Sequence, residues 1–291
     1  MQKFLAVVML VVCLFSFAQA EEVIVADADN GFWSYTSETF SVTITRINDT
    51  ESKLIWYECD LYCSPESPLT AYSSNPNKPG SKLQKPEKIS RDNHLVFAIN
   101  DDFFGDRVFN DQKVGIIVRH GSLLYKSTYK SGTRKFPNLD TMAFFPDGTM
   151  AVYDSKELTG DEYIAMGATD VFAFGPWLLR NGELNPQLKK IGTSVQPRVA
   201  IGMVEPYHYK VLLVEGRHNK SKGASCEWMA HKMLEMGCTV AFNLDGGQTS
   251  ALMFMGVKIN TSGSYQGRSG YRTLSGMIGA GTSDQVPPFK D

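Results

Sequence analysis

Apolar and polar residues alternate in short runs along most of this chain, and the breaks between runs are rich in Gly, Pro, Asn and Asp. That rhythm predicts strands joined by tight turns rather than long helices. Phe40-Ser41-Val42-Thr43-Ile44-Thr45 alternates with period two, as a strand with one buried face does, and Leu54-Ile55-Trp56-Tyr57 reads as a second strand. Residues 64–88 are dense in Pro, Ser, Asn and Lys and read as a long surface loop. A run of hairpins follows. Residues 114–119 and 123–129 flank His120-Gly121, 141–145 and 150–153 flank Asp147-Gly148, and 171–179 lead into Asn181-Gly182. Asn-Gly and Asp-Gly supply the positive φ that two-residue hairpin turns require. Residues 196–203 and 209–215 form one more pair, joined around Pro206.

Two helices stand out, over 160–166 and over 225–236. The second has Ser225 as its N-cap and Gly237 as its stop, and Cys226, Met229, Ala230, Met233 and Met236 recur at helical spacing on one face. The predicted class is α+β, with mixed, hairpin-rich β-sheets and few packed helices. One domain is expected from 21 to 291, its motif-bearing part over about 95–280. A hydrophobic content of 43% against 21% charged residues is enough to build a full core.

Residues 1–20 set the compartment. Lys3, an apolar run from Phe4 to Phe17 and Ala18-Gln19-Ala20 make the pattern of a cleaved secretory signal peptide. The run is shorter than the roughly 20 residues a bilayer span needs. The bulky Val12 before Cys13 disfavours lipidation. No later segment is long and apolar enough to span, so the expected location is secreted or periplasmic. The net charge of −2 argues against nucleic acid as a partner, because that surface needs a basic excess.

Beyond the leader lie Cys59, Cys63, Cys226 and Cys238. Cys226 and Cys238 sit at opposite ends of a helix, roughly 18 Å apart at 1.5 Å per residue, too far to bond one another. The spacings do not fit zinc, and the cysteines are expected free or singly bridged. His94, His120, His208, His218 and His231 match no nucleophile or metal pattern.

The candidate chemistry is concentrated in Asn243-Leu244-Asp245-Gly246-Gly247-Gln248-Thr249-Ser250. A buried strand ends there, presenting an amide and a carboxylate at i and i+2 on one face. Two glycines then allow the backbone to turn and approach a ligand. Ala98-Ile99-Asn100-Asp101-Asp102-Phe103-Phe104-Gly105 repeats the logic, with aromatics suited to a sugar ring beside carboxylates. Arg198 lies within a predicted strand, where an arginine needs an acid or an anionic ligand. Glu215-Gly216-Arg217 adds a further acid and cation.

Taken together, these segments resemble the phosphodiester glycosidase family. Residues 243–250 are similar to its N-L-D-G-G-G-S-S motif, 100–104 to N-G-x-(F/Y)-F, and Gly175-Pro176-Trp177-Leu178 with Asn181-Gly182 to G-P-x-L…N-G. Arg198 to Gly202 matches R-x-A-I-G, Glu215-Gly216-Arg217 resembles D-G-R, and Arg272 falls where a late arginine is usual. The chain departs from the pattern at Gln248 for glycine, Thr249 for serine, Glu215 for aspartate and Trp228 for glutamate. Gln248 brings a bulky side chain where the motif has none.

The resemblance implies hydrolysis of a sugar-1-phosphodiester at the anomeric carbon, with a carbohydrate or glycan-phosphate as substrate. Arg198, Arg217 and Arg272 would clamp the phosphate. Asp245 would act as nucleophile or base, partnered by Asp102 or Glu215. Asn100 and Asn243 would orient sugar hydroxyls, and Gly246, Gly247, Thr249 and Ser250 would line the substrate. No cofactor is required by this chemistry, although Asp101, Asp102 and Asp245 offer the oxygen ligands that Ca²⁺ takes. Two alternatives stay open on the residues: a glycan-binding envelope protein without activity, and a metal-dependent phosphodiesterase that breaks the P–O bond.

Overall fold

The computed structural model describes residues 21–102, 115–127, 139–268 and 270–290. The leader 1–20, the aromatic pair Phe103-Phe104 and the ends of the first central hairpin lie outside the described residues. Three antiparallel sheets make up the body. The largest runs β1 (Val23–Asp27), β2 (Phe32–Thr36), β3 (Ser41–Asp49), β4 (Leu54–Tyr62), β15 (His208–Val214), β14 (Arg198–Glu205), β16 (Val240–Asn243), β12 (Trp177–Arg180) and β13 (Glu183–Leu184). The second is ordered β10 (Met150–Tyr153), β9 (Asp140–Phe144), β11 (Asp170–Phe174), β7 (Gly115–Arg119), β8 (Ser122–Ser127). The third is β18 (Val257–Lys258), β17 (Leu252–Phe254), β6 (Leu95–Asn100), β19 (Gly276–Thr282), β5 (Thr70–Ser73).

The period-two pattern sets the register. Val42 faces Leu61 and Ile44 faces Cys59 across β3 and β4, and all four are buried. One core joins the inner faces of the three sheets: Val42, Ile44, Val199 and Phe242 from the first, Met142 and Phe172 from the second, Phe97, Ile99 and Ile278 from the third. The turns follow the dipeptides. His120-Gly121 and Asn181-Gly182 both adopt positive φ between paired strands.

Among the described residues each sheet has one short helix on its outer face. Ile89 of α1 (Pro86–Asp92) packs on Leu95, Ala98 and Met253, and Tyr163 of α2 (Gly160–Ala165) packs on Val118 and Val171. Met229, Ala230 and Met233 of α3 (Cys226–Glu235) pack on Ala200, Leu212 and Ala241. Burying a methionine this fully contributes roughly 1.5–3 kcal/mol. The Ser225 hydroxyl accepts from the Trp228 amide at 3.2 Å, and the Trp228 ring packs edge-on against Trp56 at 5.8 Å. Trp228 therefore serves packing at a capped helix start.

Two readings of the sequence needed correction. The expected loop 64–88 holds strand β5 and runs into α1, whose Pro86 occupies the first helical turn, where a missing N–H costs nothing. The expected run 171–179 is two strands in different sheets, divided at Gly175-Pro176, where Gly175 has φ +90°. The cysteines agree with expectation: all four described ones are free. Burial pushes the Cys63 and Cys238 thiols up to about 12, which makes them poor nucleophiles.

Candidate active site

Strand β16 delivers the motif. Its last residue, Asn243, is fully buried, donates its side-chain amide to the Gly175 carbonyl at 2.8 Å and accepts from the Gly175 N–H at 3.1 Å. Leu244 is sealed into the core and donates to the Val199 carbonyl at 2.8 Å. Past the strand end Asp245 leaves the core and is half-buried, and its Oδ1 accepts from the Gly246 N–H at 2.7 Å.

The two glycines are required by what they touch. A Cβ on Gly246 would stand 2.5 Å from the Pro197 carbonyl oxygen. Gly247 has φ +67°, and a Cβ there would stand 2.9 Å from Nη1 of Arg217.

Asp245, Gly246 and Gly247 open onto a cleft of about 270 Å³ that is also lined by Arg198, Arg217, Arg272, Phe174, Gln196 and Tyr265. Arg198 stands at the start of β14, its Nη2 donating to the Ser194 carbonyl at 2.9 Å and its Nε to the Ala224 carbonyl at 3.3 Å. Arg217 donates from Nε and Nη2 to Oε1 of Gln196, at 2.8 and 2.6 Å, and stacks on the Tyr265 ring at 4.6 Å. Both arginines are thus anchored by the same edge, Nε and Nη2. Neither Nη1 has a hydrogen bond among the described residues.

Arg217 also holds a positive φ of 61°, a conformation that costs a non-glycine residue roughly 1–2 kcal/mol and is tolerated where the site needs the side chain aimed. Burial pulls its guanidinium below the ordinary range, and Arg272 and Arg198 pull it further while Tyr265 and Asp245 oppose. Those mutual influences put the three cations and the single described acid of the cleft in one electrostatic neighbourhood.

Other predicted residues have different places. Asn100 is fully buried; its amide donates to the Asp245 carbonyl at 2.8 Å and its Oδ1 accepts from the Ala251 N–H at 3.0 Å. It supports the motif from beneath rather than facing the cleft, and Asn243, Thr249 and Ser250 are buried too. Glu215 is buried where Tyr57 Oη donates to it at 3.1 Å and His218 Nε2 lies at 3.2 Å. Asp102 accepts from the Ala173 N–H at 2.8 Å and pairs with Arg119 at 3.3 Å, and the Arg119 guanidinium lies 4.1 Å above the Phe172 ring.

The structure therefore does not bring Asp102 or Glu215 to the Asp245 cleft. Asp102 borders a separate, more apolar cavity of about 270 Å³ with Tyr72, Pro76 and Arg119. Among the described residues no group of three or more His, Cys, Asp or Glu side chains is arranged to hold a metal ion, and Asp101, Asp102 and Asp245 do not form one.

Sequence reasoning missed Gln196 and Tyr265. Gln196 directly precedes the Pro197-Arg198 motif and was within reach of a closer reading; Tyr265 lies in a Ser- and Gly-rich stretch with no periodic signal.

The body of three sheets thus carries a double-glycine turn beside an arginine-lined cleft. Residues 93–280 match the phosphodiester glycosidase family, and the chain belongs to it. The fold is similar to the catalytic domain of zebrafish N-acetylglucosamine-1-phosphodiester alpha-N-acetylglucosaminidase, with a TM-score of 0.65 and 17% identity over 84% of each chain. A hypothetical protein from Synechocystis is similar at a TM-score of 0.56 and 13% identity, over 85% of this chain and 63% of that one. In sequence, the SPbeta prophage-derived uncharacterized protein YomE of Bacillus subtilis (strain 168) is 33% identical over 156 residues, which is 52% of this chain and 23% of that protein. The chain thus matches less than a quarter of the length of that relative. No helix among the described residues is long and apolar enough to cross a membrane.

Proposed function

We propose that the protein is an exported hydrolase that cleaves a sugar-1-phosphodiester at the anomeric carbon, releasing free sugar and a phosphomonoester. One observation carries the reading: three arginines and one aspartate share a cleft in a chain whose net charge is −2. Such a local cationic excess fits an anion, and anchored guanidiniums fit phosphate oxygens. The anionic oxygen of the departing phosphate leaves readily without a strong general acid, so one carboxylate suffices. Asp245 attacks the anomeric carbon or deprotonates the attacking water, and Arg198, Arg217 and Arg272 stabilise the charge that develops on the phosphate. The sugar of the zebrafish enzyme's name, N-acetylglucosamine, is the first to test. The leader pattern of residues 1–20 supports export.

The test is incubation with an N-acetylglucosamine-1-phosphodiester in ¹⁸O-water. Free sugar carrying ¹⁸O at C1 is the expected product. Sugar phosphate carrying the label would instead mean P–O scission by a phosphodiesterase, and unchanged substrate would mean a binding protein.

A further inference from the structure

We propose that Gln248 is a positioning residue, holding residues 265–268 and 270–272 as a strap that sets where Tyr265 and Arg272 stand in the cleft. Its relevance to turnover rests on the phosphodiester glycosidase reading above; the strap itself does not. The Gln248 side-chain amide donates to two strap carbonyls, Arg268 at 2.9 Å and Gly270 at 3.0 Å. Its backbone carbonyl accepts from the Arg272 N–H at 3.0 Å. One residue therefore ties the strap at three points.

Every described residue from Ser264 to Thr273 is exposed, so no apolar side chain anchors the strap between the buried Gly263 and Leu274. It belongs to no named strand, and Gln266, Gly267 and Gly270 all adopt positive φ. Other contacts among the described residues are a reciprocal pair between Tyr265 and Arg268, Ser264 N–H to the Arg217 carbonyl at 3.3 Å, Tyr271 Oη to Glu87 at 2.7 Å and the Lys258 ammonium 5.1 Å over the Tyr271 ring.

What the strap carries is functional in position. Tyr265 supports the Arg217 guanidinium at 4.6 Å, and Arg272 lines the same cleft. With glycine at 248, as in the motif this segment resembles, the two carbonyls would turn to water and the strap would be released. The side chain that looked like an obstruction in the sequence is a tether at the rim.

The experiment compares wild type with Gln248→Ala and Gln248→Glu, the latter keeping size while placing an acceptor against two carbonyls. Limited trypsin digestion of the folded protein reads the strap directly at Arg268, and steady-state kinetics on the sugar-1-phosphodiester reads the cleft. Both variants are expected to be cut at Arg268 about tenfold faster. Both should raise KM about fivefold or more with kcat within about twofold, at a melting temperature close to wild type. Equal cleavage of variants and wild type overturns the tether whatever the kinetics do. Faster cleavage with unchanged KM overturns the link to the cleft. A wild type that turns over no diester sinks the proposed function, while the cleavage ratio still decides the tether. If the alanine variant does not fold, the glutamate variant carries both readouts.

Discussion

The side chain of Asn100 donates to the backbone carbonyl of Asp245 at 2.8 Å across a separation of 145 residues. The same side chain accepts from the Ala251 N–H, so one buried amide grips both ends of the double-glycine turn. The double-glycine loop is therefore tied to the end of β6 as well as to its own strand β16. Among the described residues the two acid-bearing segments meet through the Asn100 side chain and through the Asn100 N–H, which donates to the Ala251 carbonyl at 3.2 Å.

Asn100→Ala removes that grip, and the Asp245 carbonyl and the Ala251 N–H each lose the bond that residue 100 gives them. Each unsatisfied buried group costs about 1–3 kcal/mol, so the variant should lose about 2–4 kcal/mol in urea denaturation. Asn100→Asp should recover only the Ala251 bond, because a carboxylate cannot donate to the Asp245 carbonyl. A loss below 1 kcal/mol would show that the two segments are held together elsewhere.

Asp245→Asn keeps the shape and the Gly246 contact while removing the charge. Turnover of the sugar-1-phosphodiester should fall on the order of 10³-fold or more, with the melting temperature little changed. The decisive reading is kcat at saturating substrate, which must collapse if Asp245 acts on the anomeric carbon.

Arg217→Lys keeps a positive charge but loses the two-point bond to Gln196 and the planar stack on Tyr265. KM for the diester should rise about tenfold, and wild-type KM should itself rise with ionic strength because the cleft is open to screening salt. An unchanged KM in the lysine variant would mean that the guanidinium does not meet the phosphate.

Lys258 offers a pH test on stability. Burial lowers its ammonium from 10.5 to about 8, against the opposing pull of Glu87 and Glu215, and its Nζ donates to the Asn260 carbonyl at 2.6 Å. Between about pH 8 and 10.5 the unfolded chain binds this proton and the native state does not. Stability from this group therefore rises with pH across that window, and below it the buried charge withdraws up to about 3 kcal/mol. Lys258→Met removes the dependence. Urea titrations at pH 7, 8, 9 and 10 should show wild type gaining on the variant as pH rises; a constant difference would contradict the assignment.

Much of the fold was legible because the signals were local. The alternation in 40–45 fixed which face of β3 is buried, His120-Gly121 and Asn181-Gly182 fixed two hairpins, and the Met229, Met233 spacing fixed the covered face of α3. Strand β5 and helix α1 escaped because their polar, proline-rich surroundings resemble a loop; they form by pairing with β19 and packing on the third sheet, neither of which is encoded nearby.

By itself the sequence determined the strand-rich character, the capped helices and the motif residues, since each depends on dihedral preference and spacing within a few residues. Only the tertiary structure decided which polar residues share a cleft. Asp102 and Glu215 look equivalent to Asp245 as letters, yet Arg119 with the Ala173 amide, and Tyr57 with His218, hold them in buried pairs away from it. Desolvation makes such pairing obligatory for any buried carboxylate, and its partners come from strands distant in the chain. Asp245 emerges at a strand end beside three guanidiniums, and that placement exists only once β14 and β16 are paired.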